Sequence, residues 1–177
     1  ILVGPGNNGL DGLIAGTHLS SFGAKVTAVL LSERIPTDTI MTKADQSGVR
    51  ILTLSSRNGD ESLDLLGDEI KKSIVIVDAI FGIGMNRPIV GYLSKVLATV
   101  NEKKRKDSLI FAVDSPTGLF IDSGGIDKSF LAPDITLALG FLKIGHVTQP
   151  GASRIGRLQL LDIGIPTDIE SSVRTNL

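Results

Sequence analysis

The chain of 177 residues has no cysteine and no tryptophan, one tyrosine and two histidines. Without cysteine there is no disulfide framework and no thiolate metal site, and the isolated His18 and His146 cannot assemble a histidine-rich transition-metal centre. Charge of one sign is lacking too: 18 Lys+Arg stand against 19 Asp+Glu, a formal net charge of −1. The one basic cluster, "NEKKRKD" from residue 101, reads as the solvated end of a helix, so composition argues against a nucleic-acid partner. No apolar run approaches the ~20 residues needed to span a bilayer, and no charged segment precedes an apolar one at the start. Neither a membrane partner nor a signal peptide is expected, and the default compartment is the cytoplasm. The first residue is Ile1 rather than Met, so a preceding segment is expected to be missing.

What is present is the composition of an ordinary folded domain, 42% apolar and 21% charged, with one domain expected over 1–177. Apolar, β-branched runs recur: "ILV" (1–3), "VTAVLL" (26–31), "VRILTL" (49–54), "SIVIVDAIF" (73–81), "SLIFAVD" (108–114), "DITLALG" (134–140) and "RLQLLDI" (157–163). They are continuous rather than alternating, as strands buried on both faces are. Residues 10–22, 37–47, 60–72 and 89–105 read as helices between the early runs. This alternation predicts right-handed βαβ units and an α/β, Rossmann-like three-layer sandwich, with a mostly parallel sheet and helices on both faces. After residue 114 no helix is predicted, and the short strands there leave room for an antiparallel edge. On the first helix, Ala15, Leu19 and Phe22, bordered by Gly12 and Gly16, are expected to face the sheet. Leu10, Leu13 and Ile14 would form a second apolar patch, covered by the missing N-terminal segment or a second subunit.

Ligands of an open parallel sheet sit beyond the carboxyl ends of its strands. Four segments fall there. "GPGNNGLDG" (4–12) places glycines where a ligand approaches the backbone and where free N–H groups at a helix start favour an anion. Asn7 and Asn8 add oxygen acceptors that a plain turn does not need, and Asp11 either meets a ligand or complements the helix dipole. In "DAIFGIGMNRP" (78–88), Asp78 reads equally as a cap or as a carboxylate at the ligand edge, and Arg87 as a phosphate contact or a solvated charge. "DSPTG" (114–118) ends an apolar strand in Asp114, placed for acid–base work, for a sugar hydroxyl or simply for an Asx-type turn. "GFLKIG" (140–145) brings Lys143, able to neutralise a phosphate or pair with an acid. Asn8, Asp78 and Thr117 together would offer oxygens from three strand ends, a set suited to a hard cation; one carboxylate with neutral oxygens suggests a monovalent ion.

Taken in register, "GPGNNGLDGLIAGTHL", "IVDAIFGIGMNRP", "AVDSPTGLFIDSGG", "APDITLALGFLKIG" and "GRLQLLDIGIP" resemble the NAD(P)HX epimerase family, also called the YjeF N-terminal domain family. The resemblance runs from residue 1 to about 166. It implies an isomerase that interconverts the R and S forms of hydrated NADH or NADPH, so that a dehydratase specific for one epimer, fused or separate, can repair the pool. It further implies that Asn7, Asn8, Gly9, Leu10 and Asp11 contact the substrate, and that Gly82, Ile83, Gly84, Met85, Asn86, Arg87 and Pro88 wrap it. Asp114 would bind substrate, and Asn8, Asp78 and Thr117 would hold a potassium ion. A homodimer and an N-terminal helical segment are implied as well. The epimerised carbon carries a hydroxyl next to the ring nitrogen; loss and return of water, or ring opening and closing, would invert it. Asp114 is the expected acid–base residue and Asp11 its rival. The chain departs from the family pattern at Leu10, where a second glycine is usual, and at Thr117, where serine is usual.

Two other readings compete. A catalytically silent nucleotide-binding or scaffold module on the same fold would be consistent with Leu10. A dehydrogenase would need an acid ending the second strand, where this chain has Ser32 and then Glu33.

Overall fold

The structure is a computed structural model that describes residues 1–31, 39–85 and 87–166. Seven strands form one sheet in the order β3-β2-β1-β4-β5-β6-β7, every adjacent pair parallel. They are β1 (Leu2–Val3), β2 (Thr27–Leu30), β3 (Arg50–Thr53), β4 (Val75–Ala79), β5 (Leu109–Val113), β6 (Ile135–Leu139) and β7 (Arg157–Leu161). The helices are α1 (Asn7–Ser21), α2 (Thr39–Gln46), α3 (Gly59–Lys72), α4 (Tyr92–Lys103) and a single turn, α5 (Ile144–Val147).

Each apolar run noted in the sequence contributes one strand, and the α/β sandwich expected from their alternation is the fold observed. The antiparallel edge is not. Residues 140–156 carry the chain back across the sheet through α5 and a 3-10 turn, which is length enough to bring β7 in parallel to β6. Between β5 and β6 the crossover has no helix. Instead residues 114–134 fold on themselves around an isolated Leu119–Ile126 bridge and bury Leu119, Ile121, Phe130 and Ile155 as a small core of their own.

One sheet face packs α1 and α2 over Val3, Leu13, Ala28, Leu30, Ala44 and Val49. The other packs α3 and α4 through Leu66, Ile70, Val96, Leu97 and Val100 onto Ile76 and Ile110. The sheet-facing side of α1 differs from the expectation. Gly9, Gly12, Leu13 and Gly16 are buried, while Phe22 is 86% exposed and Leu19 and Ile14 are about 40% exposed. The cause is clearance: a Cβ on Gly12 would lie 2.5 Å from the Ala79 Cβ, so the helix lies glycine-side down and its larger apolar residues turn outward. Leu13, expected on an outer patch, is core, and only Leu10 and Ile14 remain of that patch. Among the described residues no helix is long and apolar enough to cross a membrane.

Candidate active site

The chain order reverses at β1, which lies between β2 and β4, and this switch point opens a crevice at the carboxyl ends of the strands. A cavity of about 610 Å³ occupies it. Its walls come from four connections: Pro5, Gly6, Asn7, Asn8 and Asp11 after β1, Ile80 to Gly84 after β4, Asp114 after β5, and Leu139 and Lys143 after β6, with Ile163 at the rim.

Gly6 caps α1 in an extended conformation, and its carbonyl accepts the N–H groups of Gly9 and Leu10. The helix therefore starts at Asn7, earlier than the sequence pattern suggested, and lays Asn8 inward. Asn8 is 8% exposed and neither its Oδ1 nor its Nδ2 meets a hydrogen-bond partner. An unsatisfied buried carboxamide costs roughly 1–3 kcal/mol, so it is a strong pointer to a ligand. Leu10 is already helical, half-buried and away from the cavity wall, so its isobutyl group does not crowd the crevice.

Asp114 adopts φ 62°, the left-handed region that non-glycine residues seldom occupy. The Ser115 N–H bonds back to the Val113 carbonyl at 2.7 Å, so the chain turns within three residues and aims the carboxylate into the crevice. Its Oδ1 accepts the Leu139 N–H at 3.2 Å and a close contact from the Lys143 ammonium. Its Oδ2 lies where a Cβ on Gly82 would come within 3.0 Å, and the Asn8 carboxamide would be 3.6 Å from the same point. Gly82 is thus the residue whose missing side chain lets Asn8, Asp114 and the loop after β4 share one space. Asp11, a turn into α1, has its carboxyl pushed up by burial and by the Asp114 charge.

Asp78, near the carboxyl end of β4 and outside the cavity lining, is fully buried. The Thr117 N–H and hydroxyl each donate to it at 2.7 Å, and the Ile80 N–H at 3.2 Å. Burial raises its pKa to about 6 against the lowering effect of these hydrogen bonds. Asp78 and Thr117 are thereby brought together, and no described Lys, Arg or His pairs with that acid. No cluster of three or more His, Cys, Asp or Glu suited to a metal occurs among the described residues.

Of the remaining candidates, Gly82, Ile83 and Gly84 line the cavity, while Met85, Arg87 and Pro88 line a smaller adjoining one of about 330 Å³. Gly9 lies within α1 on its buried side, and Asn86, Ser32 and Glu33 lie outside the described residues. Sequence reasoning missed two supports of this loop: buried Asp127 accepts the Ile89 N–H at 3.0 Å, and Met85 Sδ accepts the Gly118 N–H at 3.3 Å. His146 is buried beside the site. The residue sits in α5, 2% exposed, where its Nδ1 accepts the Lys143 N–H at 3.4 Å, and burial pushes its pKa down.

A parallel sheet with its crevice at the switch point, glycine-lined and carrying two acids, a lysine and an unsatisfied amide, defines a doubly wound α/β domain of Rossmann-like fold. The family described as YjeF-related protein N-terminus matches residues 1–145, and the chain belongs to it. It is 33% identical over 99% of its length to the "Bifunctional NAD(P)H-hydrate repair enzyme Nnr" of Thermofilum pendens, covering 34% of that protein. It is 30% identical, over its whole length, to the "NAD(P)H-hydrate epimerase" of Leuconostoc mesenteroides subsp. mesenteroides, covering 76% of that protein. The crystal structure of yeast ynu0, YNL200c, superposes with a TM-score of 0.74 at 27% identity, over 97% of this chain and 68% of that one. The chain spans about a third of the length of the bifunctional relatives.

Proposed function

We propose that the chain is an epimerase of hydrated NADH and NADPH. The observation that carries this reading is the convergence of unpartnered Asn8, strained Asp114 and the Gly82–Gly84 loop on one crevice, in a chain whose relatives bear the epimerase name. In the substrate a ring carbon bonded to nitrogen carries a hydroxyl. The nitrogen lone pair can expel that hydroxyl as water, leaving a planar cation that water recaptures on either face. Asp114 faces the reacting carbon in this scheme, stabilising the cation by its charge and holding the incoming water through Oδ2. Pro5, Gly6 and the start of α1 receive the pyrophosphate, and the loop over Gly82 to Pro88 covers the nucleotide.

Asn8 in the cavity wall and the buried Asp78–Thr117 pair suit a potassium ion. Asn8 Oδ1 lacks a donor, Thr117 Oγ1 gives its proton to Asp78 and keeps lone pairs free, and Asp78 supplies a buried charge without a cationic neighbour among the described residues. Asn8, Asp78 and Thr117 would hold the ion, which would balance that charge and tie the three connections together. The functional partner on this reading is a dehydratase acting on one epimer, fused or separate, and the chain works as a homodimer.

The test follows the ratio of R to S hydrated NADPH after one epimer is consumed. The wild type should restore the ratio, and Asp114→Asn should slow restoration by about 10²-fold or more while melting normally. Unchanged turnover in that variant would remove Asp114 from the reaction. The Leu10 argument for a silent module falls away, because Leu10 leaves the crevice open.

A further inference from the structure

Building on the epimerase reading, we propose that Lys143 is a catalytic residue, the proton donor to the departing hydroxyl and the acceptor for the proton of the returning water. Lys143 follows β6 and lines the same cavity as Asp114. Its side chain is 19% exposed and that of Asp114 14% exposed, so both charges sit largely out of water.

An ammonium carries three N–H donors. One goes to Asp114 Oδ1 and one to the Leu139 carbonyl at 3.0 Å; no acceptor for the third occurs among the described residues. Asp114 is the mirror case. Its Oδ1 is occupied by Lys143 and the Leu139 N–H, and among the described residues no donor reaches Oδ2. The pair thus presents one free donor and one free acceptor side by side to the cavity. A tie serving only to hold β5 to β6 would not leave both free groups on a ligand crevice. The backbone of Lys143 is fixed as well, since its N–H meets the Nδ1 of buried His146.

A phosphate anchor is the other use for a lysine, and the surroundings oppose it. Among the described residues the ionisable groups lining the cavity are Asp11, Asp114 and Lys143, which sum to a negative charge when all are ionised. Lys143 is already paired with Asp114, a neighbour that favours a ring cation, while the pyrophosphate has the N–H groups at the start of α1 to meet it. The exchange balances without an oxidant or reductant. The ring C–O bond breaks with its electron pair going to oxygen, a Lys143 proton joins that oxygen, and water, a planar ring cation and a neutral amine result. Water then bonds to the cation's carbon, and its surplus proton returns to the Lys143 amine.

The experiment compares Lys143→Met and Lys143→Arg with the wild type, measuring kcat and KM for epimerisation of hydrated NADPH together with the melting temperature. Arginine preserves the charge and the ion pair but does not release its proton, which separates proton transfer from charge pairing. The assignment expects kcat to fall on the order of 10²-fold or more in both variants, with KM within about threefold and folded proteins in each case. It also expects a small primary amine in solution to restore part of the rate to Lys143→Met. Near-wild-type turnover by Lys143→Arg would overturn it in favour of a structural pair, and a loss expressed only in KM would overturn it in favour of an anchor. A wild-type chain without epimerase activity would instead defeat the reading on which it rests.

Discussion

Asp78 is a buried acid with hydrogen-bond donors around it and no described counter-charge, so its ionisation should weigh on the whole protein. Burial raises its pKa from 3.8 to about 6. The folded state therefore holds this proton more tightly than the unfolded chain does. The resulting stabilisation is fully present below pH 4 and is lost as pH rises through about 6; at about 1.4 kcal/mol per pH unit it is on the order of 3 kcal/mol. A potassium ion held there, as proposed, would supply the missing charge and oppose the loss. Thermal melts in choline and in potassium chloride at equal ionic strength check this. Potassium should raise the melting temperature more at pH 7.5 than at pH 5, and Asp78→Asn should lose that difference. Equal gains at both pH values would separate Asp78 from the cation.

The elements were legible in the sequence wherever one physical cause dominated. Continuous β-branched runs such as "SIVIVDAIF" predict buried strands because covering both faces leaves no place for polar alternation, and each run did form a strand. The polar residue ending one such run, Asp114, marked the ligand edge for the same reason. What depended on clearance between elements was not legible. Gly12 reads as a border of an apolar stripe until Ala79 is seen beneath it, and the pairing of Asp114 with Lys143 requires knowing that β5 and β6 are neighbours. The glycines of the first turn illustrate the distinction and make it testable. A Cβ on Gly4 would lie 1.9 Å from the Ile80 carbonyl oxygen, whereas one on Gly6 meets nothing within 4 Å. Gly4→Ala must push β1 from β4 and should cost about 3 kcal/mol or more in urea unfolding. Gly6→Ala keeps an allowed backbone and should cost about 1 kcal/mol or less, yet its methyl enters the cavity and should raise KM for hydrated NADPH. If Gly4→Ala proved as stable as Gly6→Ala, the close approach of Gly4 to Ile80 would be wrong.

At the scale of the molecule, the crevice exists because the chain leaves β3 at one edge and re-enters the sheet beside β1, parting the connections after β1 and β4. Nothing covalent closes that gap; it is held by hydrogen bonds such as Gly4 N–H to the Ala79 carbonyl and by the packing of the two helical layers. A nucleotide lying across it would touch residues from four connections at once, contacts available only in the folded chain. Its binding free energy must then appear as added stability. At a concentration one hundred times Kd the gain is about 2.7 kcal/mol, and a domain of this size shifts by roughly 2–4 °C per kcal/mol, so a rise of about 5–10 °C is expected. Hydrated NADPH should produce it in the wild type and in Lys143→Met alike, because the lysine acts on the reaction rather than on the bound nucleotide. Absence of any shift at saturating hydrated NADPH would mean that the crevice does not take this nucleotide, whatever its residues resemble.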